Sequence, residues 1–104
     1  VLEKRRADLA RMTKALHRTL GWFAATAPPD IARTLSSYFP DVTPELFAQC
    51  IERYRSHRLW ASDPVIRREG YDRLHAAMRS AGMLKHDISF EACIDTNLAE
   101  EAMT

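Results

Sequence analysis

The sequence has little of what most catalytic and cofactor sites are built from. Its 104 residues include 3 glycines and 2 cysteines, and the glycines, Gly21, Gly70 and Gly82, lie far apart. A phosphate-binding loop needs clustered glycines before a helix, and a serine nucleophile elbow needs a glycine on each side of the serine. Neither pattern occurs. We therefore predict that this chain alone is not an enzyme and binds no cofactor.

A strong charge imbalance and a long apolar run are also missing. The chain carries 15 basic and 14 acidic residues, for a formal net charge of +1. Nucleic-acid binders usually gather a basic excess on one face, so no nucleic-acid partner is expected. No stretch approaches the roughly 20 apolar residues of a membrane span. The chain starts at Val1 without a signal sequence, and we expect residues upstream of it to be missing.

The residues that commonly bind metals are not spaced for that purpose. His17, His57, His75 and His86 match neither an i, i+4 pair nor an HExxH run. They are interpreted as surface histidines, and no metal site is predicted. The two cysteines, Cys50 and Cys93, stand among apolar neighbours and are interpreted as buried thiols. Because no CxxC is present, a redox or zinc pair is not indicated, and a disulfide between them stays open.

Apolar residues at intervals of three and four predict an all-α chain of about five short helices. No alternating run of β-branched residues predicts a strand. The predicted helices begin near Leu2, Pro28, Pro44, Arg68 and Phe90. The stripe of the first helix consists of Leu9, Met12, Leu16, Leu20 and Phe23. The fifth helix is expected to hold Phe90, Cys93, Ile94 and Leu98, with a frayed tail over residues 99–104.

Local signals mark where several of these helices begin and end. Thr43 before Pro44 predicts an N-cap, and Ser89 can cap the fifth helix. Gly82 is placed to end the fourth helix in a left-handed conformation. The aromatic residues Trp22, Tyr54 and Trp60 fall at helical spacing beside leucines, which is more typical of core residues than of ligand-stacking ones.

In order and spacing, these segments resemble the C-terminal region of substrate-binding proteins of ABC importers, of the nitrate, sulfonate, taurine and thiamine-precursor type. The resemblance is carried by Ala15-Leu16, Leu20-Gly21-Trp22, Pro28–Ala32, Tyr38-Phe39-Pro40, Thr43-Pro44-Glu45, Tyr54, Leu59-Trp60, Asp63-Pro64, Ile66, Arg68-Glu69-Gly70, Leu74, Met78, Ala81–Leu84 and Asp95-Thr96.

The resemblance implies that residues 1–104 form a single helical segment of a larger, two-lobed α/β receptor that delivers a small solute to a membrane permease. It implies a periplasmic or other extracytoplasmic location, and as partners the missing N-terminal lobes and the ABC permease. Most ligand contacts in such receptors come from those lobes, so no ligand-binding residue is assigned here. Apolar faces made for the lobes would be exposed in the chain alone, which predicts self-association through Leu16, Leu20, Phe23 and Ile31.

Two other functions are compatible with the sequence. One is a free-standing helical interaction module, which would bind a partner helix in a groove. A transcriptional regulator is disfavoured by the charge balance, and by the connection over residues 57–67, which is too long for a helix-turn-helix.

Overall fold

The computed structural model describes residues 2–104, and within this range its regular structure is entirely helical. The helices are α1 Arg6–Ala25, α2 Pro28–Leu35, α3 Pro44–Ser56, α4 Arg68–Ser80, α5 Phe90–Cys93 and α6 Asn97–Ala102, with a 3₁₀ turn at Ser36–Tyr38 after α2. The predicted all-α class is therefore confirmed. Residues fall into two compact units, a central unit of Ala15–Asp63 and a terminal unit that comprises residues 2–14 and 64–104.

The core of the central unit lies where α2 packs on α3. Ile31, Ala32 and Ile51 are buried, and they contact a ring of partly buried residues, Phe23, Leu35, Phe47 and Ala48. Pro28 and Pro29 suit the start of α2 because the first turn of a helix needs no backbone N–H donor. Since Ile31 is fully buried here, its predicted place on a self-association surface is wrong. The association itself stays a prediction.

The C-terminal end of the chain differs from the sequence prediction. The fifth predicted helix is two short helices, because Ile94 leaves the helical region at φ −115° and ψ 127°. The Asp95 carboxylate then accepts a hydrogen bond from the Asn97 N–H at 2.9 Å, and α6 begins. The predicted fraying over residues 99–104 is also wrong, because Ala99 and Ala102 are buried in α6.

Burial of apolar side chains holds α6 in place in the terminal unit. Leu98, Ala99 and Ala102 are its buried residues. An ion pair between Arg6 and Glu101 also links α6 to the first turn of α1. Both partners are largely exposed, and such pairs usually contribute about 0–1 kcal/mol. The apolar burial therefore determines the position of α6.

The predicted N-caps of α3 and α5 are confirmed. The Thr43 hydroxyl accepts a hydrogen bond from the Leu46 N–H at 3.3 Å, with Pro44 in the first helical position. The Ser89 hydroxyl accepts from the Ala92 N–H at 3.2 Å. Each hydroxyl satisfies one of the donors that a helix start leaves free.

The ends of α3 and α4 use the same C-terminal motif with different residues. Gly82 has φ +68°, and the N–H groups of Gly82 and Met83 donate to the carbonyls of Arg79 and Met78. After α3, Arg58 has φ +54°, and the N–H groups of Arg58 and Leu59 donate to Arg55 and Tyr54. This is the Schellman pattern, which prefers glycine at the left-handed position. The prediction for Gly82 is confirmed, whereas at position 58 the sequence lacks the glycine that usually marks such a helix end.

Gly82→Ala is expected to lower the free energy of unfolding by about 1 kcal/mol. An added Cβ would meet no atom within 4 Å, so the cost comes from the left-handed backbone alone. Chemical denaturation followed by circular dichroism measures the change. Gly70→Ala, within α4 and with the same open space, is the control and is expected to stabilise by about 0.5 kcal/mol. Two changes of the same sign would contradict the assignment.

Arg58→Gly is expected to raise the free energy of unfolding by about 0.5–1 kcal/mol, because glycine adopts φ +54° without the steric cost of a Cβ. The same denaturation experiment measures it. Arg53→Gly, within α3, should instead destabilise by about 1 kcal/mol. A destabilising effect of Arg58→Gly would mean that the arginine side chain adds more to the stability of the fold than its left-handed backbone conformation takes away.

Many large apolar side chains remain exposed on these helices. On α1, Met12 and Leu16 are more than half exposed, and α1 contains no buried residue. Other exposed apolar side chains include Leu46 on α3 and Leu74 on α4. Within residues 2–104, no helix is both long and apolar enough to cross a membrane. Uncovered apolar faces of this kind usually mark surfaces that contact other protein.

Candidate functional site

The C-terminal end of α1 is held by a side chain from α3. A helix end leaves its last carbonyl groups without intrahelical donors, and the last turn of α1 contains no basic residue of its own. Arg55 supplies the donors: its Nη2 lies 2.6 Å from the Phe23 carbonyl oxygen and 2.8 Å from that of Thr26. The Thr26 hydroxyl donates to the Trp22 carbonyl at 2.6 Å. The guanidinium also offsets the negative end of the helix dipole.

A groove opens beside this junction, within the central unit. It has a volume of about 340 Å³ and is lined by Leu20, Phe23, Ala24, Arg55, Arg58, Trp60, Ala61 and Ser62. Most of its surface is apolar, two arginines contribute positive charge, and the described side chains that line it include no carboxylate. Small-molecule sites are commonly concave and apolar with a few polar groups, and they range from about 300 to 1,000 Å³. We call this feature the arginine–aromatic groove.

Aromatic contacts fix the shape of the groove wall. The rings of Phe23 and Trp60 meet edge to face with centroids 4.4 Å apart, and Tyr54 supports Trp60 at 5.7 Å. Such pairs contribute about 0.5–1.5 kcal/mol beyond burial. Yet Trp60 is 40% and Tyr54 46% exposed. The prediction that Trp22, Tyr54 and Trp60 are core residues is therefore wrong: they form contacts at the surface.

The side chains that line the groove are suited to binding. Phe23 and Trp60 offer apolar ring surface, Arg58 offers an exposed cation, and the Ser62 hydroxyl can donate or accept. Arg55 already donates hydrogen bonds to the carbonyls at the end of α1, so its role is to support the groove. The groove therefore combines apolar ring surface with positive charge.

The structure places the other sequence candidates apart from the groove. His57 and His86 are exposed, whereas His17 and His75 are half-buried; the Nδ1 of His17 has no hydrogen-bond partner. Both cysteines are free thiols; Cys50 is half-buried and Cys93 exposed, so the prediction that Cys93 is buried is wrong. Over residues 2–104, no three His, Cys, Asp or Glu side chains are grouped to hold a metal ion.

A second polar cluster lies in the terminal unit, where α4 meets residues 87–91. The Tyr71 hydroxyl donates to the Ile88 carbonyl at 2.6 Å, and Arg79 pairs with Asp87 at 3.0 Å. His75 Nε2 stands 3.8 Å from the Asp87 carboxylate, beyond hydrogen-bond range. These contacts anchor the segment after α4, and we assign them a structural role.

Further contacts in this cluster come from Arg68 and Phe90. The guanidinium of Arg68 stacks over the Phe90 ring at 4.7 Å from its centroid and forms an ion pair with Glu91. The Tyr71 ring meets Phe90 edge to face at 5.5 Å. The N-terminal part of α4 is thus joined to α5 through aromatic and charged contacts.

Tyr71 is expected to ionise at higher pH than an ordinary tyrosine. Burial raises its pKa, as do the charge and hydrogen bond of Cys93 and the charge of Asp72. The protonated phenol is also the form that donates to Ile88. Its stabilising contribution should therefore be complete below the unfolded-state pKa and lost as pH rises through the higher folded-state pKa.

Ultraviolet difference absorbance of tyrosinate measures this shift. The folded protein should show a late ionisation step that Tyr71→Phe abolishes and that denaturant removes from the unmodified chain. If the late step survives in Tyr71→Phe, it belongs to another tyrosine and the assignment is wrong.

The sequence alone does not indicate that two arginines line the groove. Arg55 looks like a solvated residue of the last α3 turn, and nothing local shows that it reaches residues 29 and 32 positions earlier. At Arg58 one signal was available: Tyr54 and Leu59 flank the helix end at the spacing of the hydrophobic pair in a Schellman motif. The motif is hard to recognise in the sequence because Arg58 stands where it usually has glycine.

Comparison with known proteins finds similarity to a binding protein. Over 100 residues the chain is 24% identical to the protein named "Putative binding protein YtlA" of Bacillus subtilis strain 168. The alignment covers 96% of this chain and 30% of that relative, so the chain spans less than a third of the relative's length. No family model matches the chain, and no solved structure matches it. The relative's name specifies neither a solute nor an importer.

Proposed function

We propose that this chain is the C-terminal helical portion of the solute-binding receptor of an ABC importer. The observation that carries the proposal is the alignment of nearly the whole chain with less than a third of a binding protein. The motifs quoted above, from Leu20-Gly21-Trp22 to Asp95-Thr96, are the basis for the importer type and for a solute of the nitrate, sulfonate, taurine or pyrimidine-precursor class.

The pattern of burial supports a role as part of a larger receptor. Six apolar residues are buried among those described, whereas fifteen large apolar side chains are exposed. A helix usually buries its apolar stripe against another layer of structure. In α1 the stripe is exposed at Met12 and Leu16. The lobes of a longer receptor would cover such faces and would supply the solute contacts.

In this proposal the chain itself is structural and performs no catalysis. The lobes bind the solute outside the cytoplasmic membrane, and the closed receptor presents it to a permease. Residues of this chain contribute to receptor stability, because they cover apolar surface of the lobe against which they pack. Self-association through exposed apolar side chains of α1 such as Leu16 would then be confined to the chain without its lobes.

The first experiment determines the natural gene product and its ligand. Intact mass measured on protein purified from the source, with sequencing of the coding region upstream of Val1, should give a polypeptide roughly three times as long as this chain. Thermal unfolding of that protein is then followed with nitrate, taurine, an alkanesulfonate and an aminopyrimidine in turn. One solute class should raise Tm, since ligands that bind only the folded state stabilise it.

Two results would overturn the proposal. One is a gene product of about 104 residues. The other is a longer protein that lacks two α/β lobes or whose Tm responds to none of the four solutes. Cell fractionation provides an independent control, because the receptor should be found outside the cytoplasmic membrane.

The second candidate is a free-standing helical module that binds a partner helix. The arginine–aromatic groove favours it, since exposed aromatics beside an apolar cleft are typical of helix-in-groove recognition. It predicts a gene product of about this size and a monomer that is stable at high concentration. Sedimentation of the 104-residue chain distinguishes the two, because the receptor portion should self-associate through its uncovered faces.

A further inference from the structure

The arginine–aromatic groove combines features that select a particular ligand chemistry. It presents ring surface from Phe23 and Trp60, and the supporting contacts at 4.4 and 5.7 Å hold the Trp60 ring in place. A fixed aromatic ring binds another planar ring with little loss of side-chain entropy. The first requirement is therefore a planar, apolar group.

The second requirement concerns the charge of the ligand. The negative end of α1 would ordinarily repel an anion, but Arg55 covers this end through its two bonds to the Phe23 and Thr26 carbonyls. Arg58 then adds a second, exposed guanidinium to the wall, and none of the described residues that line the groove is acidic. A guanidinium fork matches a carboxylate in geometry as well as in charge.

The backbone at Arg58 supports the assignment. Its φ of +54° is unusual for a residue other than glycine, and arginine occupies this position although glycine would be less strained. Strained positions of this kind concentrate at binding sites, where the side chain has a role that offsets the cost. Beside the aromatic rings that line the groove, the role available to the Arg58 side chain is to bind an anion.

We propose that the arginine–aromatic groove binds a small aromatic carboxylate, with its ring against Trp60 and Phe23 and its carboxylate on Arg58. A volume of about 340 Å³ accommodates one or two fused rings. All lining residues belong to the central unit. This site is separate from the solute site of the proposed receptor, which would lie in the lobes.

Isothermal titration of the complete natural protein with naphthoate tests the proposal. Naphthamide, its neutral analogue, and cyclohexanecarboxylate, a non-aromatic anion, are titrated in parallel. Naphthoate should bind with Kd below about 1 mM, and each analogue should bind at least about tenfold more weakly, since one lacks the charge and the other the ring. No detectable naphthoate binding, or equal affinity for naphthoate and naphthamide, would overturn it.

Substitutions locate the binding in the groove. Arg58→Gln should weaken naphthoate binding about tenfold and abolish the preference over naphthamide, while Arg58→Lys, which keeps the charge but not the planar fork, should keep part of both. Trp60→Leu should weaken the binding of naphthoate and of naphthamide alike. Trp60→Phe keeps an aromatic ring and is the control for loss of folding. Arg53→Gln, a charge change on α3 outside the groove, is the control and should leave affinity unchanged.

The same variants separate this site from the solute cleft. Naphthoate binding that is unaffected by Arg58→Gln and Trp60→Leu lies elsewhere in the protein and refutes the proposal, whatever the result for the receptor function. Circular dichroism of each variant verifies that it is folded.

Discussion

Replacing Ile31 by alanine is expected to lower the free energy of unfolding of the central unit by about 2–5 kcal/mol. Ile31 is 0% exposed, and Ile31 and Ile51 are the two largest fully buried side chains among the described residues. Removing its side chain loses burial and leaves a cavity between α2 and α3. Because domains are stable by only about 5–15 kcal/mol, the loss is a large fraction of the total. Urea denaturation followed by far-ultraviolet circular dichroism measures it.

Leu46→Ala is the matched control for this experiment. Leu46 also lies in the central unit, on α3, but it is 52% exposed. Its truncation should therefore cost less than about 1 kcal/mol. Equal losses at the two positions would show that Leu46 is covered in the protein tested, for example by self-association, and repeating the measurement at lower protein concentration would then separate the two effects.

Arg55→Met is expected to destabilise the central unit by about 1.5–3 kcal/mol, the range for hydrogen bonds to a charged group. Methionine keeps much of the apolar stem but leaves the carbonyls of Phe23 and Thr26 without the donors that the guanidinium provides. The last turn of α1 should open, and hydrogen exchange should accelerate there first. Denaturation gives the total loss, and exchange measured by mass spectrometry locates it.

Two variants control for the loss of positive charge. Arg53→Gln removes a charge from the same α3 turn and should change stability by no more than about 0.5 kcal/mol. Arg55→Lys keeps the charge but not the planar fork, and it should recover only part of the loss. If Arg53→Gln were as destabilising as Arg55→Met, the loss of positive charge near the end of α3 would explain the effect. The hydrogen bonds from Arg55 to α1 would then not be its cause.

The helix ends show how far local chemistry could be predicted. Thr43, Ser89 and Gly82 were predicted as caps, and all three positions behave as predicted. Each signal depends on a hydrogen bond or a backbone angle within a few residues, so a short stretch of sequence contains what is needed. The break at Ile94 was missed because the apolar pattern continues across it, while the Asp95 bond that starts α6 gives no periodic signal.

The candidate site was harder to predict than the helices. The sequence pattern predicts Trp60 as a core residue, but its surface position depends on Phe23, a residue of α1. The two bonds of Arg55 also join residues about thirty positions apart. Contacts at such separations depend on how α1 and α3 pack, and periodicity within one helix does not contain that information.

The sequence by itself determined the all-α class, most helix starts and stops, and the resemblance to a binding protein, because these depend on spacing and on neighbouring residues. Only the tertiary structure decided which apolar residues are buried: Ile31 lies in the core, while Trp60 and Leu16 remain at the surface. It also decided that α6 is ordered by its buried residues and that Arg55 caps α1. The physical reason is that burial and long-range hydrogen bonds are properties of packed pairs of elements, whereas a stripe on one helix predicts only that some other surface will cover it.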